Sequence, residues 1–439
     1  MTEYLIRLVQ VHESFRKPEI LALAALANIN VEVLSYSESS PFCTVKLHDE
    51  ATARALISRS VLSKAIFELW AAGSTYPDLH AAVRQNASAR GTRYKTCSFK
   101  FEVDAYQGKR SAAAQRELIE SFSYLGFNGP IVMRGAEETF CVFEEWDGSG
   151  TALKRVWMGR LIARGSRDAI ATYDLKRRCY ISTTSMDAEL ALITANLTLA
   201  APGKLIYDPF AGTGSFLVAA AHFGAYVAGS DIDGRSVRGK DGKRDVKANF
   251  KQYGLEGRLL DVWVADLTND PLRAGRWLDG ILCDPPYGVR EGLKVLGTRD
   301  REKVKEVIIL GNGEAAHFFL ALLSDILTFA STSLVDNGRL SLWMPTANES
   351  LTELSVPTHP SLELVSVCVQ AFNKWSRRLL TYRRLPDKEV VYTEEFLRER
   401  MEMLGREGFV GATADELNDF RRKYFKGFKP PPHDSEAGS

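Results

Sequence analysis

The chain has 439 residues, of which 45% are hydrophobic and 25% charged, which excludes collagen, a wholly disordered chain and a small disulfide-rich protein. No apolar run approaches the 18 residues of a membrane span, and the first residues, MTEYLIRLVQV, lack the pattern of a signal peptide. The net charge is only +1, but residues 154–180 contain eight Lys or Arg against two Asp. Such clustering favours a polyanionic partner.

The six cysteines, at positions 43, 97, 141, 179, 283 and 368, are widely and irregularly spaced. The sequence has no CxxC or HExxH motif, so it indicates neither a zinc site nor a disulfide framework. Unpaired thiols are typical of reducing compartments, and we therefore expect a cytoplasmic protein.

Residues 1–70 alternate quickly between short strands and short helices. The pattern predicts strands at 4–11, 31–35, 42–48 and 65–71, and helices at 19–27 and 50–58. The resulting order, β-α-β-β-α-β, is that of a ferredoxin-like split βαβ unit.

Residues 71–165 predict a second small α/β domain. Helices are expected at 76–85 and 111–123, and strands at 97–104, 131–134, 139–145 and 156–163. The last strand and the segment after it are basic, and residues 166–186 form a basic linker in this interpretation.

Longer elements follow and predict one α/β domain over residues 187–429. Helices are expected at 187–199, 215–222, 234–252 and 314–331, and strands at 204–208, 225–231, 260–265, 278–283, 338–344, 362–371 and 377–384. Strands that alternate with helices indicate a parallel, doubly wound sheet. The tail, residues 430–439, is expected to be disordered.

The strongest local signal is KLIYDPFAGTGSFLVAAA at 204–221. An apolar strand ends at Asp208, a loop with Gly212 and Gly214 follows, and then a helix of small residues begins. Glycines let the backbone approach a ligand closely, and the amides of a helix N-terminus favour an anionic group. The loop lacks the Gly-Lys-Ser/Thr ending of a P-loop, and Leu217 stands where a dinucleotide fingerprint needs a small residue. Considered alone, the loop could be an ordinary tight turn.

Two further strands also end in an acid. AYVAGSDID (225–233) reaches Asp231, at about the distance along the chain where nucleoside sites place the acid that binds ribose hydroxyls. LLDVWVAD (259–266) ends at Asp266, which could accept a hydrogen bond from an adenine amine. The alternative for Asp231 is that it only caps the next helix, which is predicted to start at Gly234.

The fourth strand runs into Asp284-Pro285-Pro286-Tyr287. Two prolines fix the backbone and hold the carboxylate and its neighbouring carbonyls in one geometry, while the tyrosine can stack on a planar base. A flat exocyclic amine is a poor nucleophile, because its lone pair is delocalised into the ring. Acceptors that bind both amine hydrogens can turn this lone pair towards an electrophile, so the motif predicts transfer to an amine.

Together, DPFAGTG, SDID and DPPY resemble the class I S-adenosylmethionine-dependent amino-methyltransferases, whose Rossmann-like sheet is doubly wound. The resemblance implies S-adenosyl-L-methionine as the cofactor. It implies that the methionine part is bound by Asp208, Phe210, Ala211, Gly212, Thr213 and Gly214, the ribose by Asp231, and the adenine by Ile232 and Asp266. The methyl-acceptor site would comprise Asp284, Pro285, Pro286 and Tyr287.

The segment 173–197, YDLKRRCYISTTSMDAELALITANL, and the two small α/β units before it resemble the THUMP-containing tRNA guanine-N2-methyltransferases. The most similar branch is the eukaryotic family that acts on guanosine 10. By this resemblance the ferredoxin-like unit and a THUMP-like domain bind tRNA, Thr184 lies near the cofactor carboxylate, and a small zinc-binding activator subunit completes a heterodimer. The function it implies is methyl transfer to guanine N2 by a catalytic subunit.

Other functions remain open at this point. DPPY also occurs in methyltransferases that act on DNA adenine N6 or cytosine N4, and a protein amide could use the same pocket. Cytosine-C5 methylation is disfavoured, because Cys283 precedes Asp284 instead of following a proline. A non-catalytic tRNA-binding subunit is disfavoured by the intact Asp208, Gly212, Gly214 and Asp284.

Overall fold

A computed structural model describes residues 1–239, 243–269, 271–286, 314–347, 356–373 and 375–392. The chain divides into two compact units, Met1–Arg167 and Asp168–Ser439. Each unit contains one seven-stranded sheet. Among the helices that the structure describes, none combines the length and the apolar content needed to cross a bilayer.

The first unit begins with the predicted β-α-β-β-α-β order. Its elements are β1 (Thr2–Leu8), α1 (Glu13–Leu26), β2 (Glu32–Ser35), β3 (Phe42–Leu47), α2 (Glu50–Ile57) and β4 (Ser63–Gly73). The strands are antiparallel in the order β2-β3-β1-β4, which is the ferredoxin-like arrangement. The central strand β1 is buried on both faces, because Ile6 packs in one hydrophobic cluster and Leu5 in another.

The same sheet continues into the second half of this unit. Its elements are α3 (Tyr76–Arg90), β5 (Phe99–Tyr106), α4 (Ala112–Glu120), β6 (Glu138–Trp146) and β7 (Leu153–Arg164). Strand β7 pairs with β4 on one side and with β6 on the other, so both predicted N-terminal domains share one sheet. The boundary at residue 70, which lies inside β4, stays a prediction.

One strand predicted in this unit is wrong. Residues 131–134 form only a single bridge, between Ile131 and Phe99. Ile131 and Met133 are both 72% exposed, so the apolar run that suggested a strand packs against no core.

The second unit contains the longer elements. They are α5 (Asp168–Thr172), α6 (Ala188–Leu197), β8 (Leu205–Asp208), α7 (Ser215–His222), β9 (Tyr226–Asp231), α8 (Gly234–Arg238), α9 (Val246–Gln252), β10 (Leu259–Val264), β11 (Leu278–Cys283), α10 (Glu314–Ser333), β12 (Leu334–Ala347), β13 (Leu362–Ala371) and β14 (Trp375–Arg384).

The sheet of this unit has the order β10-β9-β8-β11-β12-β14-β13. Its first five strands are parallel and β14 runs antiparallel to both of its neighbours, which confirms the predicted doubly wound α/β sheet. From β8, the chain builds outwards through β9 and β10 on one side and through β11 and β12 on the other. This change of direction is a topological switch point, and ligands of such sheets bind beside the carboxyl ends of the strands there.

The single helix predicted at 234–252 is wrong, because the structure has two helices, α8 and α9. The first ends before Gly239, which has a positive φ of 71°. The second is capped by Asp245, whose carboxylate accepts a hydrogen bond from the Ala248 backbone N–H at 2.7 Å. A glycine with a positive φ and an N-cap acid therefore divide the segment.

Candidate active site

The glycine loop after β8 is hydrogen-bonded to the neighbouring strand β9. The Ala211 backbone N–H donates to the carbonyl oxygen of Ser230 at 2.8 Å, and the Gly212 N–H donates to Oδ2 of Asp231 at 2.9 Å. Gly214 has a φ of 80°, and a Cβ added there would lie 2.7 Å from Cγ1 of Val246. A side chain at this position would strain the backbone and collide with α9, so the turn requires glycine.

Asp208 is the most deeply buried carboxylate of the site, with 1% of its surface exposed. Its Oδ1 accepts a hydrogen bond from the Phe210 N–H at 2.9 Å, whereas its Oδ2 has no hydrogen-bond partner among the described residues. Burial raises the pKa of Asp208 well above its ordinary value, and the negative charges of Asp231 and Asp284 raise it further. A buried carboxylate oxygen with no donor fits the cationic group of a ligand.

Asp231 ends β9 and organises the loop beside it. Besides the bond from Gly212, its Oδ1 accepts a hydrogen bond from the Asp233 N–H at 2.7 Å. The alternative role in capping the next helix is wrong, since Asp233 caps α8 by accepting from the Arg235 N–H at 3.0 Å. Asp231 and the following Ile232 are both partly exposed, as a contact with a ligand requires.

Asp266 lies just beyond β10, one strand further along the sheet, and is buried. Its Oδ1 accepts hydrogen bonds from the Thr268 N–H at 3.0 Å and from the Thr268 hydroxyl at 2.8 Å. Asp325 of α10 lies near Asp266, because partial desolvation by neighbouring groups and then the charge of Asp266 raise the pKa of Asp325. Asp266 therefore lies at the same edge of the sheet as the other acids, between β10 and α10.

Asp284 follows β11 directly, across the switch point from Asp208. Register supports this placement, since Ile281 of β11 lies opposite Tyr207 of β8. The Asp284 carboxylate is 3.8 Å from Nη1 of Arg377. Pro285 is buried and Pro286 is partly exposed, but Tyr287 lies outside the described residues.

Cys283 precedes this corner and is fully buried. Burial, and then the charges of Asp208 and Asp284, raise the pKa of its thiol well above the ordinary value. A thiol that stays protonated is a poor nucleophile, so Cys283 is a packed strand residue.

Sequence reasoning missed Asn249, a fully buried residue of α9 that joins the linker to the glycine loop. Its Nδ2 donates to the carbonyl oxygens of Tyr180 and Thr213, at 2.9 and 3.0 Å, and its Oδ1 accepts from the Tyr180 N–H at 3.0 Å. A buried polar side chain that is satisfied in this way fixes both segments in one arrangement.

The contact of Thr184 with the cofactor stays a prediction. In the structure it is the next residue, Ser185, that contacts the glycine loop. Thr184 is exposed and its hydroxyl lies 3.1 Å from that of Ser182. Ser185, the next residue, has its hydroxyl 2.7 Å from that of Thr213 in the glycine loop.

The cations of residues 154–180 do not all face solvent. Arg160 is buried, and its guanidinium forms ion pairs with the carboxylates of Glu50, Glu68 and Glu138. Arg178 is also buried: its Nη1 donates to the Ser215 hydroxyl at 2.8 Å and its Nη2 to the Tyr173 carbonyl at 3.2 Å. The expectation that this whole cluster binds a polyanion is therefore wrong for these two arginines.

Two domain families match the chain. Residues 2–167 match the family described as Tmrp11 THUMP N-terminal domain, and residues 176–297 match the family described as RMKL-like, methyltransferase domain. With the doubly wound sheet and its glycine loop, these matches define a methyltransferase that carries a THUMP domain.

Full-length relatives identify the family within this class. The chain is 44% identical to tRNA (guanine(10)-N(2))-methyltransferase of Saccharomyces cerevisiae, over 87% of this chain and 93% of the relative. Identity to the Schizosaccharomyces pombe enzyme of the same name is 38%, over 88% and 90%. Identity to the human enzyme is 33%, over 97% and 96%. The chain belongs to the tRNA (guanine(10)-N(2))-methyltransferase family.

Proposed function

We propose that this chain is a catalytic subunit that transfers a methyl group from S-adenosylmethionine to the N2 amine of guanosine 10 in tRNA. The main support for this proposal is that Asp208 and Asp284 lie near each other at the carboxyl ends of adjacent strands, beside the glycine loop. The names of the relatives and the match to a THUMP domain favour tRNA over DNA or a protein amide.

The residues present fit S-adenosylmethionine. Oδ2 of Asp208, buried and without a donor among the described residues, would receive the ammonium group of the methionine part. The loop Phe210–Gly214 would hold the rest of that part, Asp231 would bind the ribose hydroxyls, and Ile232 and Asp266 would contact the adenine. When bound, this cofactor supplies the electrophilic methyl group.

Asp284 would act on the amine. Its carboxylate accepts one amine hydrogen and the backbone carbonyls held by Pro285 and Pro286 accept the other, so the nitrogen lone pair faces the methyl carbon. The bound cofactor would supply the methyl group to this nitrogen and leave as S-adenosylhomocysteine, and the nitrogen would lose one proton to the Asp284 carboxylate that accepts this hydrogen.

The target base must leave its helix to reach this corner. Guanine N2 lies in the shallow groove of a paired stem, and flipping the base out costs a few kcal/mol. Stacking on Tyr287 would offset part of this cost, by roughly 1–3 kcal/mol for each stacked base.

We also propose a heterodimer with a small zinc-binding activator subunit, formed along strand β10. Among the described strands β10 pairs only with β9, and its Leu260 and Val264 are 58% and 38% exposed. Apolar side chains on a sheet edge are typical of a surface that another chain covers.

We propose a cytoplasmic location, which is supported by six free cysteines.

Replacement of Asp284 tests the catalytic proposal. We expect Asp284→Ala to reduce methyl transfer to tRNA by about 100-fold or more while S-adenosylmethionine binding, measured by calorimetry, changes little. The matched control is Glu363→Ala, since Glu363 is an exposed carboxylate of β13, at the opposite edge of the sheet from β10, and pairs with Arg383 at 2.6 Å. Turnover by Asp284→Ala at the control rate would remove this residue from the mechanism.

The subunit proposal has its own test. We expect the chain alone to be poorly soluble or inactive and its partner to restore activity. Leu260→Asp should abolish the complex, whereas Val365→Asp, a matched change at the exposed Val365 of the opposite edge strand, should not. Full activity of the isolated chain would contradict the proposal.

A further inference from the structure

Strands β12 and β14 extend past the end of β11 and place side chains beside Asp284. Cys283, the last residue of β11, lies opposite Leu342, but β12 continues to Ala347. Strand β14 pairs with this extension, so that Arg377 lies opposite Pro345. The register therefore puts Arg377 just beyond the carboxyl end of β11, where Asp284 lies.

The guanidinium of Arg377 is held firmly from one side. Its Nε donates a hydrogen bond to Oε1 of Gln370 at 2.6 Å. Its carbon lies 4.8 Å from the ring centre of Trp343 and 5.8 Å from that of Phe372. Phe372 in turn stacks on Trp375, with ring centres 4.5 Å apart. A guanidinium that is fixed by aromatic rings keeps its donors in set directions.

The donors of Arg377 next to Asp284 remain available. Nη1 lies 3.8 Å from Oδ2 of Asp284, which is an ion pair but too long for a hydrogen bond. Within the described part of the chain, the guanidinium makes its only hydrogen bond through Nε. The two side chains are 18% and 22% exposed, so both reach the surface of the site.

We propose that Arg377 binds the target base by donating a hydrogen bond from Nη1 to the ring nitrogen that flanks the amine and carries a lone pair. In guanine this nitrogen is N3. An amine hydrogen and this lone pair lie side by side on one edge of the base. Oδ2 of Asp284 and Nη1 of Arg377 offer the complementary acceptor and donor side by side. This inference rests on the proposed function and adds the residue that orients the base.

The test uses two tRNA substrates, with guanosine or 3-deazaguanosine at the target position; the latter replaces N3 by a carbon. Arg377→Ala should reduce the single-turnover rate on the guanosine substrate by roughly 10- to 100-fold, the effect of a lost hydrogen bond from a charged donor. On the deaza substrate the wild type and the variant should react at equal rates.

Three controls make the result interpretable. Arg383→Ala changes an arginine of the same strand that pairs with Glu363 at 2.6 Å, and it should leave both rates unchanged. Cofactor affinity of Arg377→Ala should equal that of the wild type. If this variant does not fold, Arg377→Lys takes its place and should show a smaller loss, again confined to the guanosine substrate.

An equal loss on both substrates, or no loss on either, would overturn the role of Arg377 in base binding. Both results leave methylation by the wild type intact and are thus distinct from failure of the proposed function. Absence of guanine-N2 methylation by the wild-type heterodimer would instead contradict the proposed function itself.

Discussion

Replacing Asp208 by Asn removes a buried charge with almost no change of shape, and we expect opposite effects on stability and on cofactor binding. The carboxylate is fully buried, its Oδ2 meets no donor among the described residues, and two acids lie nearby. Above about pH 4 this acid therefore destabilises the chain in the absence of ligand, because its folded form must either keep a proton or hold an unpaired buried charge. The same charge would stabilise a bound ammonium group, so the cofactor should bind less tightly to the variant.

The magnitudes follow from these contacts. Loss of a charge-assisted hydrogen bond costs about 1.5–3 kcal/mol, so the dissociation constant of S-adenosylmethionine should rise roughly 10- to 150-fold. Removal of the buried charge should stabilise the cofactor-free protein by on the order of 1 kcal/mol, or about 2–4 °C in Tm.

The stability gain should depend on pH with a definite sign. Burial raises the pKa of Asp208, so the folded chain retains a proton that the unfolded chain releases near pH 4. The contribution of Asp208 to stability therefore falls as the pH rises from about 4 towards its folded-state pKa, whereas Asp208→Asn lacks this loss. The advantage of the variant should thus grow over that range.

Thermal unfolding between about pH 4 and pH 8 without cofactor, combined with calorimetric titration of S-adenosylmethionine, measures both effects. Asp279→Asn is a matched control, because Oδ2 of Asp279 accepts the Leu205 N–H at 2.9 Å and its replacement should bring no gain. A variant that is less stable than the wild type at every pH and binds the cofactor equally well would refute the reasoning.

In chemical unfolding, Asn249→Ala should destabilise the protein by about 3 kcal/mol, because it leaves buried backbone groups of the linker and the glycine loop unpaired. The same change should weaken cofactor binding. Gln252→Ala, on the same helix but exposed, should cost at most about 1 kcal/mol. Arg177→Glu should weaken tRNA binding and lower its salt slope by about one, whereas Arg178→Glu should chiefly destabilise the fold by about 3–5 kcal/mol. Gly214→Ala should abolish measurable cofactor binding in calorimetry, through its collision with α9.

Much of the site could be predicted because its signals are local. A buried parallel strand that ends in an acid is visible in sequence, and parallel strands bring their carboxyl ends to one edge, so Asp208, Asp231, Asp266 and Asp284 could be grouped before their contacts were known. The division of the segment 234–252 into two helices was not predicted but could have been, since Gly239 and the N-cap Asp245 are ordinary helix-ending and helix-starting signals.

Other features depend on contacts that no local pattern reveals. Arg177 and Arg178 are adjacent and chemically identical, but only the second packs against Ser215. Asn249 bonds to a loop 36 residues earlier in the chain. Its one sequence signal is position, since it lies three residues after Val246 on the buried face of α9.

The position that receives the methyl group is the most direct test of the proposed function. The measurement is transfer of labelled methyl from S-adenosylmethionine to unmodified tRNA by the purified heterodimer, followed by nucleoside analysis, with a second tRNA in which guanosine 10 is replaced by adenosine. We predict that the label is recovered as N2-methylguanosine from the first tRNA and that the second remains unlabelled. Label in another nucleoside, or equal labelling of the second tRNA, would contradict the account.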